Sequence, residues 1–509
     1  MSNVKIADQL GTVRRGPAPM ASAGTGLGGR EATQAHAAPG GINRFLWGAL
    51  IISFPFTALD FWHHTMPTTL SEPAFYLTTL LMLLTMAEDL ARQKKPFFPK
   101  GRSFVILLAF IAYAGLPIVL VPHLRYSWWP GLNPVTKSYT AWLQLAIAAS
   151  VTYLTLRFVQ SWEDFRFALK CSFVGFLLAL AAGGLQIAAA FRPRSLAADL
   201  FMLLHGLSAQ FSGRLDLLGE EPAMGGDYLL AIVPFLVLGS FYWKSRRWTF
   251  VWSAVGIALL CGTLSFGSYA ALLAGALVTG LVIARRGSRG FLVPVLLVVL
   301  AVGVVGASTT DSLHWSVRDR VWDILDNGLG PNLRSWSTRS RFASAETTFN
   351  IFLDHPLMGV GLAMPKFYVH EYMPSWAMSD AVLRGSVMGY NPGGVSSNNL
   401  LIELLAATGL PGFLLFVAFL LSMLADSYGA VRCAKEKWKR RALAGIFFAL
   451  VAQIFHYFAL NDFAFRYWFF IWGLAICSRQ LVMKDDRRMA RRKPGFVYPP
   501  FAPRDLSRS

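Results

Sequence analysis

Long apolar runs without a charged residue constrain this chain more than any other feature. Residues 171–190 and 291–307 contain no Asp, Glu, Lys or Arg. Each run has about the length that a helix rising 1.5 Å per residue needs to cross roughly 30 Å of hydrocarbon. Only 15% of the chain is charged, against about 25% in an ordinary soluble domain. Because backbone amides must be paired inside lipid and barrel-type alternation is absent, the runs predict membrane-spanning helices.

The apolar runs predict about twelve spans, and the chain is expected to be an all-α protein, a polytopic transmembrane helical bundle. An even number of spans returns the C-terminus to the side on which the N-terminus begins. The predicted spans are 44–61, 72–89, 103–121, 139–156, 171–190, 227–243, 249–266, 268–284, 291–308, 401–424, 442–460 and 464–482.

Lysine and arginine residues cluster on every second connection between these spans. Basic connections remain on the cytoplasmic side of a bacterial inner membrane, so both termini are predicted to be cytoplasmic. The same placement explains the net charge of +19 without a nucleic-acid partner, since the basic residues do not form a soluble face interleaved with aromatics. The clusters lie within residues 92–102, 157–170, 244–247, 285–289, 432–441 and 487–493.

Two connections are too long to be simple turns, and this topology puts both on the periplasmic side, where function is expected. The longer one mixes Pro, Gly, Trp and Tyr with charge, which predicts a folded periplasmic cap with short helices. The predicted organisation is a disordered cytoplasmic tail (1–43), helices 1–5 (44–190), a first periplasmic loop (191–226), helices 6–9 (227–308), the large periplasmic loop (309–400), helices 10–12 (401–482) and a basic cytoplasmic tail (483–509).

The first periplasmic loop concentrates charge and glycine just before a span. Arg214 offers a planar fork of donors that suits a diphosphate leaving group. Glu221 is the candidate general base, because a partly desolvated carboxylate accepts a proton more readily. Glu220 and Gly225 are expected to contact substrate. The alternative is structural: Arg214 pairs with either glutamate and closes the loop.

The large loop contains a second group of candidates. Arg341, fifteen residues before Pro356, is predicted to be catalytic, and Arg339 on the same segment is expected to bind substrate. Three further stretches stand out: Asp354-His355-Pro356-Leu357-Met358-Gly359-Val360-Gly361, Ser396-Ser397-Asn398-Asn399 and Thr408-Gly409-Leu410-Pro411-Gly412.

These pieces resemble the O-antigen polymerase and ligase family of membrane glycosyltransferases. The resemblance lies in an arginine-led helix, a Pro-x-x-Gly-x-Gly turn, and a His-Asn pair about eleven residues before a Gly-Leu-x-Gly turn, and it covers roughly residues 205–425. Arg214 and Gly225 also have the Arg-x10-Gly spacing of the polymerase branch. The resemblance implies a GT-C-like membrane glycosyltransferase architecture, with Asn398 catalytic and Asn399 binding substrate.

The chain departs from the family pattern at two places. Asn398 occupies the position of the family's histidine, and Gly267-Ser268-Tyr269 stands where Ser-Arg-Gly is often found. An asparagine orients a sugar by hydrogen bonding but accepts no proton from it. The asparagine at position 398 favours the polymerase branch over the ligase branch. His370, beside Glu371, is the histidine best placed to substitute for the family's histidine.

The expected reaction transfers glycan from undecaprenyl diphosphate to a lipid-linked repeat unit at the periplasmic face of the inner membrane. No Asp-x-Asp pair stands in either periplasmic loop and no nucleotide fingerprint follows a strand, so a metal-independent enzyme without a soluble cofactor is expected. The partners are an undecaprenyl-diphosphate-linked oligosaccharide, the lipid bilayer, and a chain-length regulator or export machinery.

Two alternatives remain open. A ligase moves finished lipid-linked polysaccharide onto lipid A core or a protein, and makes a single transfer per acceptor. A polysaccharide or lipid transporter, or flippase, also has about twelve spans; it predicts inverted repeats and charges in the middle of spans. In this sequence the charged residues are placed mainly at span ends, which favours an enzyme.

Overall fold

The computed structural model describes most of the chain from residue 41 to residue 492. The described ranges are 41–56, 72–92, 101–120, 133–191, 222–239, 246–284, 336–388, 399–459 and 465–492, with residues 97, 99, 196, 200, 215, 217, 323, 325–328, 332 and 397 between them. These ranges lie in one compact unit, Gly40–Ser509. The predicted tail at 1–43 lies almost entirely outside the described residues.

The described residues form sixteen helices. In chain order they are α1 Gly41–Ile52, α2 Pro73–Ala91, α3 Arg102–Gly115, α4 Pro117–Leu120, α5 Pro134–Phe158, α6 Trp162–Phe191, α7 Pro222–Val237, α8 Arg246–Gly262, α9 Phe266–Ala284, α10 Trp336–Asp354, α11 Pro365–Tyr372, α12 Ser375–Met378, α13 Ala381–Met388, α14 Leu400–Cys433, α15 Lys437–His456 and α16 Arg466–Arg492.

The helices agree with the predicted all-α class and with the positions of the predicted spans. Each predicted span overlaps one of these helices, except the span at 291–308, which lies outside the described residues. Within the described part, four helices are long and apolar enough to cross a membrane: Pro73–Ala91, Arg102–Val119, Trp162–Phe191 and Leu400–Cys433. The helix composition is that of a multi-pass membrane protein, while the number of spans and their orientation stay predictions.

Several helix ends differ from the predicted spans, among them the end of the first helix and the end of the last. The first helix ends at Ile52 rather than at residue 61. Just after Ile52, Ser53 Oγ donates a hydrogen bond of 2.8 Å to Leu50 O. The last helix continues past residue 482 to Arg492. Lys435 holds this basic extension through an ion pair of 3.0 Å with Asp486. Apolar patterning does not detect that extension, because most of its residues are charged.

Small residues allow the helices of the bundle to approach one another closely. Gly473 on α16 lies against α5, where a Cβ built on it would be 2.4 Å from Thr155 Cβ. In the same contact, Thr152 Oγ1 donates a hydrogen bond of 2.8 Å to Phe469 O. The contact thus combines close backbone packing with a buried polar bond.

The cap helices α10 to α13 have apolar cores of their own. In one cluster Ile351, Val360 and Phe367 pack with Ala406 of α14, so the cap is fastened to the bundle by apolar contacts. A second cluster joins α10 to α13 through Ala343, Val369, Met373, Ala377 and Leu383. The described part of the large loop is therefore folded into helices, as its composition predicts.

We expect Gly473→Ala to destabilise the protein by about 1–3 kcal/mol, because its new methyl group overlaps Thr155. The matched control is Gly184→Ala on α6, where a Cβ meets nothing within 4 Å and helix propensity gains about 0.5–1 kcal/mol. Thermal unfolding in detergent measures both. Equal midpoints for the two variants would contradict the assigned packing.

Candidate active site

The two glycine turns singled out in the sequence lie against each other in the structure. Tyr113 of α3 also reaches this place and donates a hydrogen bond of 2.7 Å from its hydroxyl to Leu357 O. The turns are joined by three backbone hydrogen bonds: Val360 N to Ala406 O at 2.9 Å, Gly361 N to Ala407 O at 2.9 Å and Leu410 N to Pro356 O at 2.8 Å. We call this pair of joined segments, 356–361 and 406–410, the interlocked turns.

Glycine is required in each of the interlocked turns. Gly359 has φ +66°, and a Cβ there would be 2.4 Å from the carbonyl carbon of Ala407. Gly409 has φ +65°, and a Cβ there would be 2.5 Å from the carbonyl carbon of Leu357. Both positions combine a left-handed backbone with contact against the opposite backbone, and only glycine meets both conditions.

The interlocked turns divide α14 into two helical halves. At Gly409 the backbone leaves the helical region with φ 65° and ψ −177°. The first half begins at Asn399, whose side-chain oxygen accepts hydrogen bonds from Leu401 N at 3.1 Å and Ile402 N at 3.2 Å. Asn399, predicted to bind substrate, is therefore a helix N-cap in this structure.

The two cap arginines have different surroundings. Arg339 on α10 forms an ion pair of 3.2 Å with Asp380 and lies 5.7 Å from the centre of the Trp376 ring. Arg341, two residues later, is exposed. Residues two apart on a helix point in different directions, so Arg341 presents its guanidinium on a face that Arg339 does not share. The structure gives Arg339 a stabilising role in the cap.

A cluster of opposite charges lies where α5, α11 and α14 begin. Burial and the nearby Lys137 ammonium lower the pKa of Lys366, and the Glu403 carboxylate opposes that shift. Glu403 Oε2 accepts a hydrogen bond of 3.4 Å from Ser397 N. Val135 packs against the cap cluster that contains Phe367. Glu403 near the start of α14 thus lies close enough to Lys366 to interact with it electrostatically, and Lys366 is likewise close to Lys137.

The remaining predicted site residues are placed only in part. Gly225 is buried on α7, and His370 is exposed on α11. The other four, Arg214, Glu220, Glu221 and Asn398, lie outside the described residues. The structure therefore describes five of the nine predicted site residues, and substrate contacts by all of them stay predictions.

A buried polar group absent from the predicted site lies at the ends of α7, α15 and α16. Asp227 Oδ2 accepts hydrogen bonds from the Tyr467 hydroxyl at 2.6 Å and from Trp468 Nε1 at 2.9 Å. Its other oxygen lies 3.3 Å from His456 Nε2. Asp227 is 0% exposed and His456 is 3% exposed. The sequence signal was weak: His456 is an ionisable residue inside the predicted span 442–460, which in membranes marks a functional site by default, whereas Asp227 is the first residue of the predicted span 227–243.

Residues 248–417 match the family model described as O-Antigen ligase. This range runs from α8 into the second half of α14 and includes Arg341 and both interlocked turns. It confirms the family resemblance for this part of the chain, and membrane glycan transfer of the O-antigen ligase and polymerase type is the activity of that family. No curated protein matches the chain.

Gly409→Ala is expected to destabilise the protein by about 3 kcal/mol or more, because strain at positive φ adds to overlap with the opposite turn. Gly328→Ala provides the control, since Gly328 has φ +70° but a Cβ there meets nothing within 4 Å. Thermal unfolding should show the larger loss for Gly409→Ala. Equal losses would mean that strain alone, and not the interlock, requires the glycine.

Proposed function

We propose that the protein is a polysaccharide polymerase. The proposal starts from the match of residues 248–417 to the O-antigen ligase family. The protein transfers a growing glycan from undecaprenyl diphosphate to a hydroxyl of a second lipid-linked repeat unit, at the periplasmic face of a bacterial inner membrane. The carrier chain stays in the bilayer, and the reaction uses no soluble cofactor and no metal. The proposed topology has about twelve spans with both termini in the cytoplasm.

The observation that supports this proposal is the pair of interlocked turns. They fasten the cap to the kinked helix α14, and the apolar cluster of Ile351 and Phe367 with Ala406 completes the contact. A cap held rigidly over helix ends provides a fixed frame beside the lipid, where catalytic groups are positioned most precisely. In this frame Arg341 is exposed on α10.

Arginine suits the leaving group of this reaction. Its guanidinium never deprotonates in proteins and binds two phosphate oxygens at once. We propose that Arg214 and Arg341 stabilise the negative charge that develops on the departing diphosphate. A single displacement of this kind inverts the anomeric configuration. The proposal requires Arg214 to lie close enough to Arg341 for both to contact one diphosphate.

The polymerase branch is preferred over the ligase branch because of Asn398. The asparagine replaces the family's histidine, and an amide does not accept a proton from a sugar hydroxyl. A mechanism that depends on a histidine at this position is therefore not open to this chain. Another group must accept the proton, and Glu221 and His370 are the candidates that the sequence itself suggests.

Replacing Arg214 or Arg341 separately with alanine is expected to reduce polymer formation by about 100-fold, the usual loss when one preorganised donor is removed from a site of charge development. Glycan length and amount are measured on gels from cells or from purified protein. Arg92→Ala is the control, because Arg92 is exposed at the end of α2 and paired with Glu88 at 3.0 Å. Unchanged polymer in both test variants would reject their assignment.

The polymerase and the ligase differ in their products. Purified protein supplied only with lipid-linked repeat units is expected to form a ladder of repeat lengths, because each product is again a donor. A ligase needs lipid A core or a protein as acceptor and makes one transfer to each acceptor. A single product that appears only when such an acceptor is added would replace the polymerase proposal with the ligase.

A further inference from the structure

Asp227 and His456 are a buried carboxylate–imidazole pair. His456 Nε2 lies 3.3 Å from Asp227 Oδ1, and neither ring nitrogen makes a full hydrogen bond with the described residues. A buried polar nitrogen without a partner costs about 1–3 kcal/mol. An aspartate and a histidine inside apolar helices add a desolvation cost to it. The pair therefore needs a reason beyond stability.

The geometry determines which nitrogen is the base. Tyr467 and Trp468 hold Asp227 Oδ2 from the side away from the imidazole. The free carboxylate oxygen then favours the tautomer with the proton on Nε2, so the lone pair lies on Nδ1. This is the arrangement in which a carboxylate orients an imidazole for proton transfer.

The pair lies beside the start of α14, whose first residue follows position 398 by two in the sequence. Leu400 N donates a hydrogen bond of 2.9 Å to Tyr457 O, so the start of α14 is bonded to the residue that follows His456. On its other side the imidazole faces Gly267, the first residue of the second departure from the family pattern. A Cβ at Gly267 would be 3.5 Å from His456 Nδ1. Unlike His370 in the cap, His456 thus lies beside Gly267 and beside the start of the helix that follows position 398.

We infer that His456 is the general base of the proposed transfer and that Asp227 is its positioning residue. The inference rests on the proposed function, since it assigns the proton of that reaction. The substrate is the sugar hydroxyl of a lipid-linked acceptor.

The transfer forms one bond and breaks another. The hydroxyl oxygen of the acceptor forms a bond to the anomeric carbon of the donor sugar, and the bond between that carbon and the diphosphate oxygen breaks. The diphosphate leaves with the electron pair, and the hydroxyl proton moves to His456 Nδ1. Asp227 stabilises the imidazolium that results, and the proton is released to water after the product leaves.

His456→Gln tests the base directly. In the full-length protein in lipid nanodiscs, with synthetic lipid-linked repeat units, turnover per folded molecule is expected to fall by about 100-fold or more. Binding of the lipid-linked donor, measured with a fluorescent analogue, is expected to stay within about threefold of the unchanged protein, since the base contributes to the transition state and not to ground-state binding.

Asp227→Asn tests the positioning role of Asp227. It also decides whether the inference holds if His456→Gln does not fold. Its amide oxygen still accepts the hydrogen bonds of Tyr467 and Trp468, so the packing is retained. Its NH₂ group faces Nε2 and favours the wrong tautomer, with the proton on Nδ1. We expect kcat to fall by about 100-fold or more with little change in KM, whereas a purely structural role would lower the folded fraction and leave kcat per folded molecule intact.

Gln453→Met is the matched control. Gln453 is buried on α15, one turn before His456, and accepts a hydrogen bond of 2.8 Å from Trp472 Nε1. The variant is expected to lower the unfolding temperature but to keep turnover per folded molecule within about threefold. A loss of turnover equal to that of His456→Gln would show that general disruption of α15 is the cause, and would overturn the inference.

The inference is also overturned if His456→Gln and Asp227→Asn both turn over within about threefold of the unchanged protein. Such a result would leave the polymerase proposal intact, because the unchanged protein would still form the ladder. If the unchanged protein forms no ladder from lipid-linked repeat units, the proposed function fails first. The two failures are therefore distinguishable in one assay.

Discussion

The backbone hydrogen bonds between the interlocked turns are the contact on which the rest of the site depends. They join the large loop to α14 through main-chain atoms, so the register of one segment against the other is determined by glycines rather than by side-chain chemistry. A one-residue shift would move a Cβ into the opposite backbone at Gly359 or Gly409. The cap is thereby held in one position relative to the bundle, which a site for two large lipid-linked substrates requires.

The bundle beneath the cap is stabilised by a combination that is typical of helices in lipid. Close packing at Gly473 is accompanied by buried polar contacts, since the hydrophobic effect does not drive helix association inside a bilayer. Arg157 binds Asp89 through two hydrogen bonds of 2.6 and 2.7 Å, and Arg466 pairs with Glu72. Each ion pair satisfies charges that would otherwise be costly near hydrocarbon.

The proposed chemistry separates into two regions that the fold connects. Arginines from the loops stabilise the charge of the leaving diphosphate, while a buried acid–base pair removes the proton of the attacking hydroxyl. The start of α14 is bonded to Tyr457, the residue after His456, and the interlocked turns follow farther along the same helix.

Much of the fold was predictable from the sequence, because crossing a membrane leaves the chain few choices. Twenty apolar residues in lipid must be helical, so the class, the approximate positions of the spans and the folded cap follow from hydropathy and composition. Both glycine turns were also recognisable, since glycine at fixed spacing is needed wherever a backbone must be left-handed. The end of α1 at Ile52 and the extension of α16 to Arg492 were not, because hydropathy does not define where a helix ends.

The site was predictable only where residues are close in sequence. Asp227 and His456 are more than two hundred positions apart, one at the start of an apolar run and the other inside one, and nothing in the order of the residues shows that their side chains meet. The pairing of Arg339 with Asp380 was hidden for the same reason, whereas the cap formed by Asn399 is a local contact. The sequence by itself determined the helices and the glycine turns, since local geometry and the solvent decide those. Only the tertiary structure decided which polar side chains share a buried place, because that depends on how distant helices pack.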